Sequence, residues 1–540
     1  MDEVSDKLDG ITIRDASSQN RYWFIVAISK KKLHIYKFYP KHLSNSDDKL
    51  ELFWEKGSIS KCFVSNKGHQ VCILKEGSDL LEITDIESGR VSRTIAVPAE
   101  SPLKEVVFSP LDTHLMVLTT WTETYPNNLN VYNLLDDKIP PVISLPYQKT
   151  YTITRFPMWT PDEKYCVLRV HSDIKVWKNN EFNDSGFLGA LNIQLGAGEA
   201  PTVLPTNVVL SISPVYKKGN CFIGIFVSNQ GKFDQGVLKI YSSDDLQKPI
   251  FDRQFGQAEE GDLFWNKTGS AVIFRTFTNN VKGLSSYYGG NALFLIHTSN
   301  GHLKTISTPT EGLVHDISWS KKSNEFLIAK GPMPAELDSY DGNNGSKILS
   351  FGKCSRNTIK RDPFDRLALM GGFGNLRGDI DIWDLKTKKI IAQSKSDCSV
   401  TCEFSPDGRY FVTATTVPRM RVDCCFKIFS YSGRSVTRVD FEELHNVYVK
   451  SPNFVFAERD PSPHVRITES TSTSSAPLYR PPGALGANFR TLIKPTTPNL
   501  IAIPVSQLKK SKPAGPPGAD AALLSAASKI GKKKKSKSKN

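Results

Sequence analysis

The fold class this sequence predicts is all-β: a single closed β-propeller of nine blades, each of four antiparallel strands, with a disordered basic C-terminal tail. Three observations predict it. A strand–turn–strand pattern recurs every 40 to 54 residues, a second alternating strand follows seven of its eight copies, and the composition changes abruptly after Arg459.

The clearest copy of the pattern is VTCEFSPDGRYFVTA. Val400, Cys402 and Phe404 share one face of a period-two strand, and Thr401 and Glu403 share the other. Ser405-Pro406-Asp407-Gly408 then suits a type I turn, with Pro presetting φ at the second position and Gly at the fourth. Related stretches start at Phe63, Phe108, Trp159, Ile212, Trp265, Trp319 and Phe364. After seven of the eight copies the strand that follows reads LLEITDIESG, LNVYNLLDD, IKVWKNN, VLKIYSSDD, LFLIHTSNG, DIDIWDLKT or FKIFSYSG.

Eight copies, with RYWFIVAI and LHIYKFYP as an earlier unit, give nine blades to within one. A blade cannot bury both of its apolar faces alone, so blades stack on neighbours and ring closure removes the exposed ends. Closure is expected between the chain ends, with LHNVYVK (Leu444 to Lys450) and NFVFA (Asn453 to Ala457) as late strands and ITIR near Ile11 as the early one.

The propeller is assigned to residues 1–459 and the tail to 460–540. The tail is rich in Pro, Ser, Thr, Gly and Ala and too poor in large apolar groups to offset chain entropy. It holds 14 Lys and Arg against three acids, a net of +11, which leaves +3 of the chain's +14 on residues 1–459. Attraction to a polyanion through bulk charge therefore belongs mostly to the tail. No secretory signal precedes the blades and no apolar run is long enough for a membrane helix. Nine scattered cysteines read as reduced thiols, so a cytoplasmic protein is expected.

Catalytic signatures are missing: there is no Walker A pattern, no GxSxG elbow and no CxxC pair. Gly372-Phe373-Gly374 with Gly378 has the wrong spacing for a dinucleotide fingerprint and reads as turn glycines between strands. Cys402 reads as core packing, and neither cofactor nor metal is expected. Basic clusters remain. Lys30-Lys31-Lys32, Lys321-Lys322 and Lys386 with Lys388-Lys389 each read, taken alone, as solvated turns. Arg356, Lys360, Arg361, Arg377, Arg419 and Arg421 fall in consecutive units, so they could converge on one rim and contact phosphates. Burial against blade carboxylates stays open for Arg377 and Arg421. In the tail, Lys532, Lys533, Lys534, Lys535, Lys537 and Lys539 could touch an RNA backbone without reading its sequence.

GGFGNLRGDIDIWDL (Gly371 to Leu385), with SYYGGNALFLI and FGKCSRNTIKRDPFDRLALM before it and TATTVPRMRVDCCFKIFSYSG after it, resembles the eukaryotic translation initiation factor 2A family. YRPPGALG (Tyr479 to Gly486) is similar to a short element beyond that family's propeller. The resemblance implies a nine-bladed, non-catalytic factor that binds the small ribosomal subunit. It implies delivery or retention of initiator methionyl-tRNA without GTP, notably at alternative start sites or under stress. Messenger RNA and other initiation factors are further candidate partners of a monomer. Longer members continue into a charged helical C-terminal region, and contacts assigned to that region are not carried over to this chain. The b subunit of the third initiation factor is a relative by architecture, but its RNA-recognition domain has no counterpart before the first blade here. The alternative reading is a propeller scaffold that joins proteins without touching RNA, which the near-neutral body favours.

Overall fold

The structure is a computed structural model. It describes residues 21–41, 47–136, 140–147, 157–170, 173–192, 208–229, 235–256, 258–278, 290–308, 312–452 and 455–458. The chain divides into two units, Met1–Glu469 and Ser470–Asn540, and every described residue belongs to the first. The expected boundary at 459/460, the tail and its six candidate lysines, and the ITIR segment lie outside the described residues.

The described residues form 36 strands in nine antiparallel sheets of four. Blades 2 to 9 are consecutive, at 59–96, 103–145, 158–192, 208–256, 260–306, 314–354, 358–395 and 401–440. Blade 1 is composite: Leu444–Lys450 is its first strand, followed by Trp23–Ser29, Leu33–Tyr39 and Lys49–Lys56. The first strands touch one another from blade 4 through blade 9 and on to Leu444–Lys450, so they form the inner ring. The expected nine blades and closure by LHNVYVK are both found. Its partner is Trp23–Ser29 and not the expected ITIR, with Ile25 opposite Val449 and Ala27 opposite Val447. Val455–Ala457, the described part of the second expected late strand, forms no strand. Phe456 instead buries its ring in the closing core with Trp23, Phe38 and Phe426. Asp48 of blade 1 reinforces the seam, accepting from the Tyr410 hydroxyl at 2.6 Å and pairing with Arg434 at 2.9 Å.

The recurring aromatic residues close the inner strands, and their reason is visible at Trp265 and Trp319. Each buries most of an indole between blades and sends its N–H backward, to Ser211 Oγ (2.9 Å) and to the Phe264 carbonyl (2.8 Å). Burying an indole requires such a partner. Cys402 points into the core while Thr401 and Glu403 are exposed, as the alternation predicts. The Gly408 N–H donates to the Ser405 carbonyl at 2.9 Å, closing the expected turn.

These first turns also couple blades. The left-handed position that Gly408 occupies is held by Asp112, Glu163 and Asp365 in blades 3, 4 and 8. Each carboxylate reaches into the preceding blade's turn. Asp112 accepts from the amides of Asn66 and Lys67 at 2.9 and 3.0 Å, and Asp365 from that of Lys321 at 3.0 Å. Glu163 accepts from the Leu111 amide and the Thr113 hydroxyl. Backbone strain at these non-glycine residues is thus offset by charge-assisted hydrogen bonds across the interface.

Candidate docking rim

Because neighbouring strands are antiparallel, each blade's second-to-third turn and its crossover to the next blade emerge on one face, here called upper. First-to-second and third-to-fourth turns emerge on the opposite, lower face. This sorts the candidate residues. Arg356 (a crossover), Arg377 (blade 8), and Arg419 and Arg421 (blade 9) belong to the upper face. Arg361 ends the inner strand Thr358–Arg361 and lies at the lower end, so a single rim containing all six does not form.

Burial divides them again. Arg356 is only 9% exposed, with Nε 2.9 Å from Asp381 Oδ2 and Nη1 3.6 Å from Asp379. The Gln393 side-chain amide donates to the other Asp381 oxygen at 2.8 Å. Its guanidinium is committed to the blade. Arg361 is buried with Asp365 at 2.6 Å. Lys360 is exposed along the inner strand, where its charge helps offset the rise that burial imposes on the Asp316 carboxyl. The pairing left open for Arg377 and Arg421 belongs instead to Arg356 and Arg361.

Arg377, Arg419 and Arg421 are exposed and form no ion pair among the described residues. The loop that carries Arg377 is pinned from several sides. In the 372–378 loop, Phe373 is buried against Leu369, Ile380 and Phe411. Asn357 clamps it with two 2.9 Å bonds, accepting from the Phe373 N–H and donating to its carbonyl. Gly378 has φ +81°, and a Cβ there would stand 2.0 Å from the Ser396 carbonyl oxygen, so only glycine fits. These are turn glycines, as read from the sequence. Arg419 crosses from blade 9 to donate to Asn375, which ties the two loops together.

Lys30, Lys31 and Lys32 form the corresponding turn of blade 1, next around the ring. The upper face thus carries basic loops on three successive blades, 8, 9 and 1. The lysines are moderated by Glu443 (3.1 Å), Glu76 (3.0 Å) and Glu55 (3.4 Å), exposed pairs of little strength. Sequence reasoning treated Lys30–Lys32 as an isolated turn because ring closure, which brings blade 1 beside blade 9, is not a local signal. It missed Asn357 and Asn375, whose roles depend on contacts made after folding. All nine cysteines are free, and no cluster able to hold a metal occurs among the described residues. Among the described residues no helix is long and apolar enough to cross a membrane.

Residues 253–447 match the family model described as "Eukaryotic translation initiation factor eIF2A". That span takes in blades 6 to 9 and most of the closing strand, including both arginine loops. The chain is 28% identical over 380 residues to eukaryotic translation initiation factor 2A of Dictyostelium discoideum, covering 70% of this chain and 59% of that protein. It is 28% identical over 429 residues to the Schizosaccharomyces pombe protein of the same name, covering 75% and 70%. A solved structure titled "Crystal structure of the eukaryotic initiation factor" superposes with a TM-score of 0.64 at 22% identity, over 80% of this chain and all of the other. That likeness concerns the fold.

Proposed function

We propose, from the match of residues 253–447 to the eukaryotic translation initiation factor 2A family, that the chain is a non-catalytic initiation factor that docks on the small ribosomal subunit through its upper face. Blades 8, 9 and 1 supply the contact and the lysine tail adds sequence-blind RNA contacts. In this reading the bound factor helps deliver or retain initiator methionyl-tRNA without GTP, notably at alternative start sites or under stress, and it acts in the cytoplasm as a monomer. The observation that carries the proposal is the coincidence of the family match with the two loops that present Arg377, Arg419 and Arg421. Those guanidiniums are exposed and uncommitted to carboxylates, the state in which arginine contacts phosphate most effectively.

The test is cosedimentation with purified small subunits at low and raised salt. Wild type should pellet with the particle at low salt, and R377E/R419E/R421E should largely remain in the supernatant with an unchanged melting temperature. Equal pelleting of the two proteins would remove the upper face from the reading. Absence of comigration by wild type even at low salt would favour the protein-scaffold alternative.

A further inference from the structure

On the lower face, two lysine clusters that are distant in sequence converge. Lys322 lies in the first turn of blade 7, and Lys386 and Lys388 lie in the third-to-fourth turn of blade 8. They border a cleft of about 210 Å³ between the blades. Part of its wall is apolar, formed by Leu327, Leu349, Phe351 and the partly exposed Ile348. Arg361 also lines it. One guanidinium nitrogen is held by Asp365, while Nε is buried and has no hydrogen-bond partner among the described residues. Lys386 and Lys388 are exposed and make no ion pair among the described residues.

The mouth already holds one carboxylate. Glu458, on backbone with neither helix nor strand, pairs with Lys322 at 2.6 Å. Arg366, by contrast, is neutralised by Asp384 at 2.7 Å. Burial, the largest influence, would raise that carboxyl, but hydrogen bonds from Arg366, the Lys386 amide and Thr387 together outweigh it and hold the group low.

We propose that this cleft docks an acidic peptide segment of a partner protein, with its carboxylates reaching Lys386 and Lys388 and an apolar side chain against Ile348 and Phe351. Glu458 is an internal occupant that such a segment displaces. A nucleic acid fits less well, because Asp365 and Glu325 in the cleft wall would repel a continuous phosphate backbone, whereas a peptide can interleave acids with apolar groups. This inference stands apart from the upper-face reading.

The experiment uses the full chain and a fluorescein-labelled heptapeptide alternating glutamate with leucine, read by anisotropy at low salt. Glu458→Ala should bind the peptide several-fold more tightly than wild type, because a competitor is removed. K386E/K388E alters exposed turns, should leave the melting temperature unchanged, and should weaken binding about tenfold or more. Failure of both wild type and Glu458→Ala to bind would overturn the proposal, as would binding indifferent to K386E/K388E. A uridine oligonucleotide is run in parallel. If the lysine reversal abolishes its binding and spares the peptide's, the cleft is a nucleic-acid surface and the proposal fails.

Discussion

Leu444 is the residue on which ring closure can be tested most directly. It is 0% exposed on the closing strand and packs with Trp23, Tyr36 and Phe426, side chains drawn from blades 1 and 9. Leu444→Ala deletes a buried isobutyl group at the junction of the two chain ends, which costs about 2–5 kcal/mol. Against a total stability of about 5–15 kcal/mol this is a large share. A loss near 3 kcal/mol should lower the urea midpoint by about 1 M. Since the strand supplies the fourth member of blade 1, the loss should be global. Far-UV circular dichroism, which reports all blades, and the fluorescence of the eight tryptophans should shift together. Val422→Ala, at a side chain 65% exposed, should stay within about 0.5 kcal/mol of wild type. Ending the chain at Tyr431 removes six paired positions with Trp23–Ser29 and should abolish cooperative unfolding altogether. If Leu444→Ala costs less than 1 kcal/mol, or if the shortened chain unfolds cooperatively at the wild-type midpoint, closure by this strand is not what holds the ring.

Three further outcomes are expected. Arg356→Met strands the buried Asp381 carboxylate and should cost about 3 kcal/mol in denaturant unfolding, while Arg356→Met with Asp381→Leu recovers most of it. Burial pushes the Asp407 carboxyl up to about 6, so above that pH a buried charge opposes folding. As pH falls from 7 to 5 the folded state takes up a proton that the unfolded chain does not, and this group alone should add about 1 kcal/mol of stability. Asp407→Asn should lack that increment when unfolding free energies are compared at the two pH values. Removing Gly531 to Asn540 deletes six lysines and should flatten the plot of log affinity for single-stranded RNA against log salt by up to about 4; an unchanged slope assigns those lysines to solubility.

The blades were legible because their inner strands bury at least one face and carry apolar alternation, the first of them closed by an aromatic residue. The second strands show this most fully: His114–Thr119 and Tyr410–Thr415 are buried throughout. The outermost strands carried little signal. Lys347–Cys354 and Lys49–Lys56 face solvent over much of their length and owe their conformation to pairing with the strand inside them. The candidate site was legible only in part. The arginines could be placed in successive units, but which end of a blade each occupies depends on whether it sits before or after the inner strand. Arg356 and Arg361 flank the same short strand and end on opposite faces. Their carboxylate partners Asp381 and Asp365 lie 25 and four residues away, and only the fold decides that the former pair is buried.

The composite blade sets a timetable for folding during synthesis. Trp23–Ser29, Leu33–Tyr39 and Lys49–Lys56 emerge early, but their fourth strand is made only after the other eight blades have been completed. At about 5–20 residues per second, the roughly 390 intervening residues take about 20–80 s. During that interval the inner edge of Trp23–Ser29 is an unpaired strand with a buried-type sequence on both faces. A protein with this seam therefore gains most from a chaperone or a slow elongation rate while its ends are apart, and loses most from any truncation before Leu444.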